Sequence, residues 1–118
     1  MFVGEEEKRD KAISDLTFLE GYLVTQNWEA ALHKSKEFCE SCLRYLLSKR
    51  GHNDVYATGL YDLYIKCNTI CAFSNPRLMQ CIVRFESTKM EGNAAAFAQD
   101  ILEFSHVTRG LLNWLRDM

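Results

Sequence analysis

Two close cysteine pairs, Cys39/Cys42 and Cys67/Cys71, are the densest concentration of reactive side chains in the chain. Four thiolates can hold zinc, and a Cys-x-x-Cys can cycle between dithiol and disulfide. Their positions favour another role. All four fall on the apolar stripes of two expected helices, where a free cysteine packs as a small hydrophobe. Zinc pairs sit on turns that fold around the ion, and these positions are not turns. Core packing is the expected role, with no metal and no cofactor. The five cysteines are an odd number, which does not suit a disulfide framework.

Cations are the other chemistry on offer. Arg44, Arg50, His52 and Arg84 are the residues expected to form a basic cluster for a phosphate, a nucleotide or RNA. For Arg44 the competing role is a solvated arginine or an ion pair with Glu37 or Glu40. His33 and His106 stand alone on helices, and a general base needs a partner within hydrogen-bond reach. Ser35, Ser41 and Ser105 have no nucleophile-elbow context, and no glycine-rich phosphate loop is present. No catalytic residue is assigned. Tyr56, Tyr61 and Tyr64 cluster near the start of one helix. They offer a base-stacking surface or, as the favoured reading, a rim over a helical core. Trp114 is expected in the core or at an interface.

The elements that must carry these groups are helices. The 118 residues make one ordinary domain, and 47% hydrophobic content is enough for one core without disulfides or metal. One proline and six glycines permit long helices. A net charge of −2 argues against strong nonspecific nucleic-acid binding but allows a local basic patch. No apolar run reaches the ~18 residues of a membrane span. The charged stretch Met1 to Lys11 lacks the apolar centre of a signal peptide, so a cytoplasmic location is expected.

Ile13, Leu16, Leu19, Leu23 and Val24 recur at helical spacing and predict a first helix over residues 8 to 25, after a mixed-charge first turn or frayed end. Asn27 is placed to cap a second helix. Its stripe runs through Ala31, Leu32, Ser35, Phe38, Cys39, Cys42, Leu43, Leu46 and Leu47, and Gly51 closes it. A short loop, His52 to Asp54, precedes a third helix marked by Leu60, Leu63, Tyr64, Cys67, Ile70 and Cys71. Asn75-Pro76 starts a short fourth helix. The segment Glu86 to Gly92 reads as a loop, and Asn93 as the cap of a final helix with a narrow seam from Ala94 to Leu115. The expected fold is all-α: an up-and-down antiparallel bundle of four to five helices in one domain, residues 1 to 118.

The stretch from Ala12 to Gly51, AISDLTFLEGYLVTQNWEAALHKSKEFCESCLRYLLSKRG, resembles the opening helix pair of HEPN domains, the higher-eukaryote and prokaryote nucleotide-binding bundles. Trp28, Ala31, Leu43, Arg44, Leu46, Leu47 and Gly51 occupy the family's aromatic, alanine and Leu-Arg-x-Leu-Leu-x-x-x-Gly places. His52 with Leu60 and Leu63 is similar to the histidine and Leu-x-x-Leu helix that follow, and Arg84-Phe85 to an Arg-Tyr pair before the last helix. The resemblance covers nearly the whole chain. It implies a homodimer that binds a nucleotide, an RNA or a small nucleotidyltransferase encoded as a separate chain.

One departure bears on activity. Active HEPN ribonucleases carry an arginine, four to six residues, then a histidine. Here Arg44 lies too far before His52, Arg50 lies too close to it, and His106 precedes Arg109. The resemblance therefore implies a non-catalytic binding module. The alternative is a metal-independent, toxin-like ribonuclease with a rearranged site across a dimer. There Arg44 or Arg84 would stabilise the phosphorane, and His52 or His106 would move a proton. A generic helical adaptor would need repeats of fixed period, and the sequence has none.

Overall fold

The computed structural model describes residues 3–118, so the part of the N-terminal reading that concerns Met1 and Phe2 lies outside the described residues. Among the described residues, five α-helices pack as a bundle, as the apolar periodicity requires: α1 (Val3–Val24), α2 (Trp28–Lys49), α3 (Leu60–Cys71), α4 (Pro76–Ser87) and α5 (Ala98–Arg116). None of the described residues forms a helix long and apolar enough to cross a membrane.

α1 begins earlier than its apolar pattern suggests, and the mixed-charge run is helical. Glu5 and Glu6 stand in the first turn, where the helix dipole favours anions. Lys49 Nζ of α2 holds Glu5 at 3.2 Å. Asn27 caps α2 as expected, its side chain accepting from the Ala30 amide at 3.4 Å. At the other end Gly51, at φ 82, closes the helix in a Schellman turn. The Gly51 amide donates to Ser48 O at 3.0 Å, and the His52 amide to Leu47 O at 2.8 Å.

The connection after α2 is longer than the expected His52–Asp54 loop. Irregular chain continues to Gly59 because two cations anchor it: Arg44 donates to Val55 O, and Lys66 to Tyr56 O. α3 has no cap of its own at Gly59. Glu86, in the last turn of α4, accepts from the amides of Leu60 and Tyr61 at 3.1 and 3.4 Å. Asn75 caps α4 by accepting from Leu78 N at 3.1 Å, with Pro76 in the first turn. Asn93 departs from expectation. Its side chain makes no capping bond, and a 3-10 turn over Ala94–Phe97 leads into α5.

α2 is the central element. Its contacts with α1 run in opposite order, Glu5 with Lys49, Asp15 with Ser41 and Phe18 with Lys34, so the pair is antiparallel. α4 and α5 are likewise antiparallel, through Arg77–Glu103 and Arg84–Asp100. Phe38, Phe104, Leu19, Leu32, Leu43, Leu46, Leu63, Leu78, Ile82 and Ile101 are fully buried between them. Each such side chain contributes about 1.5–3 kcal/mol by leaving water. Phe85 tilts onto Phe104 with ring centroids 4.6 Å apart.

Cys39, Cys42 and Cys67 belong to this core. Burial pushes the Cys39 and Cys42 thiols well up, and Cys67 to about 12, so none is a thiolate at neutral pH. Among the described residues, no three or more His, Cys, Asp or Glu side chains are grouped to hold a metal ion.

Candidate ligand-binding cleft

The last turn of α2, the turn between α3 and α4, and the second half of α5 enclose a cleft of about 580 Å³. That is the size of a small-molecule site. α2 contributes Leu46, the residue that follows it contributes Arg50, the start of α4 contributes Arg77, and α5 contributes His106, Val107, Gly110, Leu111 and Trp114. Three cationic or titratable bases face this space, and no aspartate or glutamate lines it.

Its walls are well fixed. Ala72 ends α3 in the left-handed region at φ 52, which turns the chain back toward α4. The Tyr64 hydroxyl, buried under this turn, donates to Asn75 O at 3.2 Å and accepts from Asn75 N at 2.8 Å. Asn68 Nδ2 donates to Phe73 O at 2.7 Å. Phe73 meets Tyr64 edge-on at 5.7 Å and stacks with Trp114 at 6.0 Å and 29°. Trp114 is thus supported on one face while 47% of its surface stays exposed. It is therefore not part of the core.

The cations differ in how far they are engaged. Arg77 reaches Glu103 at 3.4 Å, and both side chains are mostly solvated, so that pair is weak. Among the described residues, the side chains of Arg50 and His106 have no hydrogen-bond or ion-pair partner. Arg50 also acts on Cys71. Burial raises that thiol and the nearby guanidinium partly offsets it, leaving a neutral group in the wall.

Of the four residues expected to gather, only Arg50 lines the cleft. Arg44 spends its guanidinium on Val55 O. Arg84 is bound to both carboxylate oxygens of Asp100, at 2.7 and 3.1 Å. His52 closes α2 through its backbone, and its ring is exposed. Arg77, Gly110 and Trp114 are not among the residues the sequence marks for a ligand, and His106 enters there only as a lone histidine or as a proton carrier in the ribonuclease alternative. The i, i+4, i+8 spacing of His106, Gly110 and Trp114 is the signal that marks one helix face. Of the three tyrosines, Tyr64 is buried, while Tyr56 and Tyr61 are exposed away from the cleft lining.

A second polar cluster joins α1 to α2. Asp15, whose side chain is 3% exposed, accepts from Lys11 Nζ at 2.7 Å and from Ser41 Oγ at 2.5 Å, and lies 3.6 Å from Lys34 Nζ. Glu37 accepts from Lys34 at 2.6 Å and from Lys11 at 3.4 Å. The Lys34 hydrogen bond holds the Glu37 carboxyl below its usual range, and Glu37 in turn raises Lys34. Each charge here has an internal partner, so the cluster serves as a clamp between helices.

No family model matches the chain, and no curated protein or solved structure matches it.

Proposed function

We propose that this protein is a non-catalytic binding module and that the cleft is its ligand site, taking a phosphate-bearing ligand of the nucleotide class. One observation carries the reading: Arg50, Arg77 and His106 line one cleft with an exposed, braced indole and no carboxylate. A guanidinium fork matches phosphate geometry, and an indole face stacks on bases. The HEPN resemblance points the same way. It adds a homodimer, RNA as an extended form of the ligand, and a nucleotidyltransferase as a partner chain.

The test is titration calorimetry with AMP and with a short single-stranded RNA. Binding that weakens as salt rises and falls about tenfold or more in Arg50→Ala/Arg77→Ala supports the site, since each charge-assisted hydrogen bond is worth roughly 1.5–3 kcal/mol. A wild-type protein that binds neither probe overturns the reading.

The ribonuclease alternative draws on His106 sharing the cleft with two arginines. RNA cleavage that disappears in His106→Ala would favour it. Cleavage unchanged in both His106→Ala and His52→Ala would come from a contaminant and end that alternative.

A further inference from the structure

Gly110 lies in the interior of α5, exposed, where glycine is the least favourable residue after proline. The two usual internal reasons for a helical glycine are both missing. Its φ is not positive, so the backbone does not demand glycine. A Cβ built there would meet nothing within 4 Å, so no neighbouring chain presses against it. What lies in front of Gly110 is the cleft.

Its flanks give that space a shape. His106 and Trp114 stand one turn before and one turn after, on the same face, about 12 Å apart along the axis with the bare turn midway. Between these two lining residues the α5 backbone carries no side chain at Gly110. Arg50, which caps the end of α2, and Arg77, at the start of α4, line the same cleft from other parts of the chain. Gly21, on α1, is an equally open helical glycine, but it lines no part of this cleft. The bare turn alone is therefore not a site; the flanking rings and the opposing cations distinguish Gly110.

We infer that Gly110 is the floor of a ring-binding subsite, on which the planar base of a mononucleotide lies between His106 and Trp114 while its phosphate meets Arg50 and Arg77. This rests on the binding reading above and narrows it to a ligand with both a flat ring and an anion. A methyl group at position 110 would lift the ring off the backbone and out of register with Trp114, leaving the phosphate contacts in place.

The experiment is calorimetric titration of AMP and of ribose 5-phosphate, which keeps the phosphate and lacks the base. Both are measured on the wild-type protein and on the Gly110→Ala, Gly21→Ala and Arg50→Ala/Arg77→Ala variants, each checked by thermal melting. Gly110→Ala and Gly21→Ala are expected to melt no lower than the wild type. AMP is expected to bind more tightly than ribose 5-phosphate to the wild type. Its affinity should fall about tenfold in Gly110→Ala and stay unchanged in Gly21→Ala, as loss of one base-stacking contact predicts. Ribose 5-phosphate should bind Gly110→Ala as it binds the wild type.

Three results overturn the inference while leaving the cleft reading intact: undiminished AMP binding by Gly110→Ala, equal wild-type affinity for the two probes, or equal losses of both probes in Gly110→Ala. If the wild type binds neither probe, or if the arginine variant binds AMP undiminished, the cleft reading itself fails. Should Gly110→Ala melt lower, Gly110→Ser is titrated in its place, with the same outcomes deciding.

Discussion

The α1–α2 clamp and the cleft are both rich in cations, and they treat them oppositely. Lys11 and Lys34 share Asp15 and Glu37, and Lys49 meets Glu5. In the cleft Arg50 and His106 have no such partner among the described residues, and Arg77 has only a solvated one. A cation whose counter-charge comes from the next helix fixes the fold. A cation without one stays available to an anion from outside, at little cost to stability because it remains in water. The same residue types therefore serve structure or binding according to where the carboxylates fall.

Four measurements can break or sharpen this contrast. Leu19→Ala cuts the apolar layer of α1 and is expected to cost about 3 kcal/mol in urea unfolding. Asp15→Ala leaves Ser41 and two lysines without their shared acceptor and should cost about 2 kcal/mol. That loss should come with AMP affinity unchanged; a neutral substitution would show that the clamp does not hold the helices. Acid should weaken the clamp as well. Glu37 is held below its ordinary 4.5, so the unfolded chain binds the proton more readily. The stabilisation is present above about pH 4.5 and fades as pH falls through the lower folded value. It amounts to less than about 1 kcal/mol because the carboxylate is half solvated. Arg50→Ala/Arg77→Ala should move unfolding stability by no more than about 0.5 kcal/mol. A large loss there would make the cleft a second clamp.

Most of the fold could be read from the sequence because its signals are local. The α2 stripe, the Asn27 cap, the Gly51 stop and the Asn75-Pro76 start each depend on residues within a turn or two. Where the reading missed, the cause was a distant partner. α1 starts early with help from Lys49, and the post-α2 connection is held by Arg44 and Lys66. The cleft was less legible for the same reason. In the sequence Arg84 looks as free as Arg50, and Arg44 has only Glu37 or Glu40 as a nearby competitor; only the fold brings Val55 O to Arg44 and Asp100 to Arg84. Arg77 and Phe73 reach the cleft through a turn set by the Tyr64–Asn75 pair, which no periodicity reveals. The His106–Gly110–Trp114 face was present in the spacing, but nothing local distinguishes a cleft wall from a solvated one.

Glu86 connects the far end of this arrangement to the near one. It belongs to the last turn of α4 yet satisfies the first amides of α3, while the Tyr64–Asn75 pair ties the same two helices at their turn. The hairpin is therefore pinned at both ends and should open as one unit. Fraying of the final turn of α4 should expose the Leu60 and Tyr61 amides together, and Glu86→Ala should speed their hydrogen exchange alike. A ligand seated against the turn, about 18 Å away along α3, is expected to slow exchange at those same two amides without touching them.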